Sequence, residues 1–334
     1  MLRFAVVFSI ILLATIVIAY NSFDDGLPPL PDDPQGRGTF TFAVPNDPGS
    51  LDPGTTSASS DFRVVKLMYE PLLVVKWGGG GVEPGVAKAM PTLSADGLTY
   101  TFKLRDDAKW SDGHPVTAND FLYGWRRAML PDSASDYASL FFLIDGAEDF
   151  FLWRQGLLKI DSLKDAIQDD AQRQAFLDRF PDLARQSNTL SPQEKWDLTL
   201  KQFEQTVGIK ALDDLTLQVH LKAPTAYFVD LAAFPTFSPM PQHVFEDKSN
   251  GLVEFTADGA WRIEDAYFNG EHPQQLITNG PYYLRDWEQK VRIIFDQNKH
   301  YWNRDAMGNI RIVEETIQDS SLQILKYEDG QIDW

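Results

Sequence analysis

Cysteine is absent from this chain of 334 residues, and that one absence removes several chemistries together. No disulfide framework, thiolate nucleophile or cysteine-based zinc site can be built. A lipid anchor on an exported chain needs a cysteine shortly after its hydrophobic leader, so that attachment is excluded too. Basic residues are scarce beside acidic ones, 30 against 48, leaving a net charge of −18. Phosphate backbones and anionic lipid surfaces call for clustered Lys and Arg, so nucleic acid is not an expected partner and loose membrane adhesion is disfavoured. The histidines His114, His220, His243, His272 and His300 lie far apart, and none forms a short-range pair that marks a metal site. No Gly-x-Ser-x-Gly elbow occurs. The glycines from Gly78 to Gly81 lack the Gly-Lys-Ser/Thr that completes a phosphate loop. No catalytic residue, metal ligand or cofactor is expected.

What the chain does have is length and aromatic side chains. Its length exceeds the usual span of one hydrophobic core, which points to two packed units. Aromatics make up 13% of it, with 22 Phe and 9 Trp, and such rings fill cores and also grip ligands. At the amino terminus Arg3 precedes an apolar run from Phe4 to Ala19, broken only by Ser9 and Thr15. A charged start and a run short of about 20 residues read as a secretory signal over residues 1–20, with an uncleaved membrane anchor as the alternative. Either reading places the body outside the cytoplasm, in the periplasm or at the cell surface. Residues 21–38 carry four Pro, four Asp and three Gly and read as a linker.

Periodicity then organises the body. Thr39 to Val44 reads as a strand stopped by Pro45. Apolar spacing from Asp61 to Tyr69 predicts a helix that Ser60 could cap, ended by Pro71, with a strand over Leu72 to Lys76. Leu98, Tyr100, Phe102 and Leu104 alternate with polar residues as in a half-buried strand. Thr117 and Asp120 form a capping box before a helix whose apolar face is Phe121, Leu122, Trp125, Ala128 and Met129, ended by Pro131. Residues 161–206 turn helical and charged, and Ser191-Pro192 with Glu194 marks a helix start there. Alternation returns over Leu215 to Leu221 and over Tyr282 to Phe295, and a last helix runs from Ser320 to Tyr327. Ser111-Asp112-Gly113 reads only as a turn. Strands and helices mixed in no regular order predict an α+β (mixed α/β) fold.

Several phrases stand in a telling order: Ser50-Leu51-Asp52-Pro53, Tyr69-Glu70-Pro71-Leu72-Leu73, and the run from Lys109 through Trp110-Ser111-Asp112-Gly113 to Phe121. Gly208 to Asp214, Thr278-Asn279-Gly280-Pro281-Tyr282 and Tyr301-Trp302-Asn303 follow. In order and spacing the chain from Thr39 to Trp334 resembles the family 5 extracellular solute-binding proteins of the oligopeptide-binding type. That resemblance implies a periplasmic-binding-protein-like fold (type II, cluster C), closing on a peptide or other small solute and delivering it to the permease subunits of an ABC importer, with no covalent chemistry. It further implies a first lobe over 39–317, decorated by the insert at 161–206. The start of a second lobe follows at 318–334, after which family members continue.

By position in the family, Ser57, Ala58 and Ser59 match a backbone strip that pairs with ligand, and Tyr137 and Phe234 match positions facing the cleft. The missing strands of an incomplete lobe imply an unpaired sheet edge and exposed apolar surface. The alternatives kept open are a membrane-anchored peptide sensor or chaperone, and a hydrolase using two of the many carboxylates.

Overall fold

The computed structural model describes residues 38–158, 167–181, 183, 190–246, 253–255, 261–263 and 276–334. The apolar run at residues 1–20, the linker to residue 37, part of the insert, and His272 lie outside the described residues. Among the described residues no helix is long and apolar enough to cross a membrane.

In chain order the strands are β1 (Thr39–Val44), β2 (Leu73–Val75), β3 (Val82–Pro84), β4 (Thr92–Leu93), β5 (Thr99–Lys103), β6 (Ile209–Asp213), β7 (Thr216–His220), β8 (Val253–Phe255), β9 (Trp261–Ile263), β10 (Tyr282–Glu288), β11 (Arg292–Gln297) and β12 (Arg311–Thr316). The α-helices are α1 (Ser59–Met68), α2 (Ala118–Met129), α3 (Ala147–Leu158), α4 (Asp170–Arg179), α5 (Pro192–Thr206), α6 (Phe228–Leu231), α7 (Gln242–Phe245) and α8 (Ser320–Glu328). Strands and helices do mix irregularly, as the α+β reading anticipated.

One sheet runs β1-β12-β11-β10, with β1 parallel to β12 and the other pairs antiparallel. A second runs β4-β5-β7-β6 and is antiparallel throughout. Alternation explains the second sheet directly: Tyr100 and Phe102 of β5 and Leu217 and Val219 of β7 face the core, while Thr99, Thr101 and Gln218 do not. Helix α2 lays Phe121, Trp125, Ala128 and Met129 into the same core, and its Thr117/Asp120 capping box forms as expected. Trp125 packs edge-on to Phe237, whose ring stacks on Phe141 at 4.2 Å between centroids, and the Trp125 indole N–H donates to the Phe237 carbonyl at 2.8 Å. A buried Trp needs such an acceptor.

Two expectations change. Ser60 does not cap α1: the helix begins at Ser59, its N-cap is Ala58 with no side-chain bond, and Ser60 Oγ turns to Asp61. Within the insert at 161–206, α5 packs against α3, and Arg154 of α3 is buried between Asp132 (2.9 Å) and Thr199 of α5 (3.0 Å). Trp153, Leu157, Phe180 and Leu183 make a small core of their own there. On the side of β1 away from β12, Thr41 N–H meets the Asp333 carboxylate (2.8 Å) and Ala43 N–H meets the Trp334 carbonyl (3.1 Å), so that edge is partly paired. Exposed apolar surface does occur, along α8 at Leu322, Ile324, Leu325 and Tyr327, and at Trp334.

Strand β12 is the central surprise, because Arg311 and Glu314 break its apolar pattern. Both are buried charges with partners. Arg311 meets Asp296 of β11 through two bonds of 2.7 and 3.0 Å, and Glu314 receives Arg63 of α1 at 2.8 and 2.6 Å. Burial pushes the Glu314 carboxyl up, and Arg63 works against that. Removing one partner of a buried pair leaves an uncompensated charge, so Asp296→Ala should destabilise the fold by about 3–5 kcal/mol in urea unfolding. Arg311→Leu combined with it should recover part of that loss. Equal destabilisation in the single and double variants would show that the pair is not the unit.

Candidate functional site

The segment entering α1 is held at both sides. Asp52 folds the turn on itself, its carbonyl accepting from Thr55 and Thr56 and its carboxylate from Gly54 N–H at 2.8 Å. Arg127 of α2 then grips the same carboxylate with two bonds, 2.8 and 2.5 Å. Burial by itself would lower the Arg127 guanidinium, but the adjoining Asp52 charge outweighs it and raises it. One turn later Asp61 accepts from Gly49 N–H at 2.8 Å. Residues 49–61 thus form a loop fastened to α2 and to its own helix.

Ser57, Ala58 and Ser59 emerge from that loop exposed. Ala58 is extended, with φ −81° and ψ 147°, and its carbonyl takes the first helical N–H groups, from Asp61 and Phe62. Among the described residues, no partner meets the backbone N–H of Ser57, Ala58 or Ser59. Beside this strip stand three half-buried rings. Phe62 of α1, Tyr137 and Phe234 pack in a triangle, with centroids 5.9 Å (Phe62–Tyr137), 5.2 Å (Phe62–Phe234) and 5.1 Å (Tyr137–Phe234) apart. All five expected site residues therefore gather at one end of α1. Phe62 is the member that sequence reasoning took for an ordinary helix-face residue. Its position one turn past an exposed N-cap was the available signal.

The other end of α1 is fixed by a buried polar network. Gly280 N–H donates to the Met68 carbonyl at 2.8 Å, and a Cβ at Gly280 would lie 2.6–2.8 Å from backbone atoms of Leu67 and Met68. Only glycine permits that approach. Asn279 exchanges two bonds with the Glu70 backbone, 3.1 and 2.8 Å. The Glu70 carboxyl meets the Tyr301 hydroxyl and, at 2.7 Å, the Trp302 indole N–H. Arg105, past the end of β5, lies 3.4 Å over the Trp302 ring. Burial drives the Glu70 carboxyl up to about 7, against the pull of Tyr301, Trp302 and Arg105. Burial and the neighbouring Glu70 push the Tyr301 phenol up as well.

The model of the family described as bacterial extracellular solute-binding proteins, family 5 Middle, matches residues 81–334. The chain belongs to that family. Among its relatives, the oligopeptide-binding protein OppA of Bacillus subtilis is 28% identical over 302 residues, which is 90% of this chain and 43% of that protein. The periplasmic oligopeptide-binding protein OppA of Escherichia coli is 28% identical over 284 residues, 85% of this chain and 40% of its own length. The structure of Listeria monocytogenes OppA bound to peptide superposes with a TM-score of 0.65 at 27% identity, covering 89% of this chain and 46% of that one. The fold is thus that of the type II periplasmic binding proteins, and the chain spans less than half the length of these relatives.

Glu70 makes stability depend on pH with a definite sign. The unfolded carboxyl releases its proton near 4.5 and the folded one near 7. Between those values the folded chain holds the extra proton, so stability falls as pH rises through the window and levels off above it, a loss of about 3 kcal/mol. Urea midpoints at pH 5, 6 and 7.5 should drop for the natural chain and drop far less for Glu70→Gln. Parallel slopes for the two proteins would remove Glu70 as the cause.

Proposed function

We propose that this chain forms the peptide-gripping lobe of an extracytoplasmic solute-binding protein that serves an ABC-type importer and performs no covalent chemistry. Residues 39–317 are its first lobe and 318–334 the opening of the second, with residues 1–20 exporting or tethering it. The observation that carries the reading is the run of unpaired backbone N–H groups at Ser57, Ala58 and Ser59 beside the Phe62, Tyr137 and Phe234 rings. An extended peptide can satisfy, with its carbonyls, those of the donors that face it, whatever its side chains are, in the manner of strand addition. The rings then supply apolar contact with little loss of side-chain freedom. Closure of two lobes would exclude water from these bonds. The names of the two relatives given above, both oligopeptide-binding proteins, support the same ligand class. The permease subunits of such an importer are the protein partner.

Ala58 offers a clean test. Its φ of −81° suits proline and its N–H has no partner among the described residues, so Ala58→Pro removes one donor without disturbing the fold. Equilibrium dialysis against defined tetrapeptides should show binding, with peptides recovered intact by mass spectrometry. Ala58→Pro should weaken it about three- to tenfold, the worth of one hydrogen bond, and Tyr137→Ala and Phe234→Ala should weaken it by similar factors. Cleaved peptide would turn the reading towards a hydrolase. Undiminished binding in Ala58→Pro would move the ligand away from this strip.

A further inference from the structure

Away from the strip, the structure gathers residues that the sequence keeps far apart. Asp112 and His114 lie on the tight turn after Trp110, and His243 lies on α7. Their ligand atoms all fall within 4.8 Å of one another. His243 Nε2 is 2.7 Å and His114 Nδ1 3.0 Å from the same Asp112 carboxylate oxygen, and the two imidazoles sit 4.4 Å apart between centroids. We propose that Asp112, His114 and His243 form a surface site for a divalent transition-metal ion of the zinc, nickel and copper group, with the carboxylate and two imidazoles as ligands and water completing the shell.

The chemistry of the donors carries this. Imidazole and carboxylate are the ligand types that such ions share, and exposed oxygen-only ions such as magnesium and calcium do not take imidazole. Ligand atoms around a tetrahedral ion at bond lengths of about 2.0–2.2 Å stand about 3.3 Å apart. The N···O separations of 3.0 and 2.7 Å have to widen by about 0.3 and 0.6 Å to reach that, within reach of side-chain rotation on an exposed turn. His114 and His243 are reachable from solvent, with side chains 62% and 32% exposed, so an ion has an entry path. Metal binding requires each imidazole to present a bare nitrogen. The proton now directed at Asp112 moves to the outward ring nitrogen or leaves to water.

The site is also built on rigid parts. Ser111 N–H donates to the Thr278 carbonyl (2.7 Å), Gly113 N–H to the Trp110 carbonyl (2.9 Å) and Trp110 N–H to the His114 carbonyl (2.8 Å). Gly113 takes φ +94°, which closes the turn and places Asp112 and His114 on one side. Asp120 ties this turn to α7. Its carboxylate accepts from Trp110 Nε1 (3.3 Å), from Thr117 N–H (2.8 Å) and from Gln242 N–H (3.0 Å), the residue before His243. The two halves of the site are therefore fastened by one buried carboxylate, the preorganisation a metal site needs. Asp112 itself is held below the usual carboxylate range. Its partial burial opposes this, but the bonds from His243 and from the backbone and ring of His114 outweigh it, so it stays an anion. His300 lies against Gly113. Burial, Lys299 and Lys109 push its pKa down.

Zinc titration of the tag-free chain by calorimetry, with absorption spectroscopy at the zinc edge, decides the matter. The expected result is one zinc per chain with two imidazoles in its shell. Loss of outer-shell partners alone costs metal sites about 10–100-fold, so His114→Ala, His243→Ala and Asp112→Asn should each weaken binding at least about tenfold. His220→Ala, on β7, should leave it unchanged. The histidines are exposed, so the variants should keep the urea midpoint of the natural chain. His114→Gln and His243→Gln serve as milder replacements should either alanine unfold it. No saturable uptake, or uptake that survives the loss of both His114 and His243, overturns the proposal.

Discussion

Burying the Glu70 carboxyl is the constraint around which the rest of the molecule is arranged. A carboxyl out of water must find donors or keep its proton, and this one does both, drawing on Tyr301 and Trp302 while burial lifts it towards neutrality. Its donors come from beyond β11, its backbone partner Asn279 from before β10, and the Arg105 cation above Trp302 from beyond β5. One buried group therefore knots the exit of α1 to segments of both four-stranded sheets. Such a network is costly to satisfy in part and rigid when satisfied in full.

Rigidity at the far end of α1 matters because the near end is left bare. The helix is held by Gly280 and Asn279 behind, by the two bonds from Arg63 to Glu314 on its flank, and by the Asp52 turn gripped by Arg127 in front. Between these clamps the exposed chain carries three backbone N–H groups that meet no partner among the described residues. An exposed strip costs nothing while water satisfies it, and gains when a ligand carbonyl replaces water under an apolar cover. Pre-positioning the donors lowers the entropy lost on binding. The clamps thus fix where the strip stands, and the strip itself takes no part in holding the fold.

Much of this architecture was legible because it follows periods and caps. The β1, β5 and β7 strands came from alternation, and α2 and α5 from their capping boxes, with bounds within a residue or two. Illegible parts share one cause, long-range pairing. Strand β12 hides because Arg311 and Glu314 occupy inward positions, tolerable only when Asp296 and Arg63 arrive from elsewhere. On α5 the buried positions are Lys195, Thr199 and Phe203, while Trp196 and Leu200 are half-buried, because Arg154 reaches across from α3 and turns polar atoms into core partners. Ser111-Asp112-Gly113 read correctly as a turn, but no local pattern could reveal that α7 would deliver His243 to it.

The family phrases teach a related lesson about where sequence signal resides. Tyr69-Glu70-Pro71, Asn279-Gly280-Pro281 and Tyr301-Trp302 meet in the knot around Glu70, and Trp110 and Asp120 meet beneath the turn at Asp112. These are scaffold contacts, in which side-chain identity is demanded by hydrogen bonding and close approach. The strip at Ser57, Ala58 and Ser59 makes the opposite demand. Its unpartnered groups among the described residues are backbone N–H donors that any residue but proline supplies, so small polar side chains there say almost nothing by themselves. A backbone strip of this kind carries little sequence signal of its own, because its donors belong to the main chain. The side chains that hold it in place, at Asp52, Arg127 and Asp61, are the ones whose identity the fold demands, and those of the strip itself constrain the fold least.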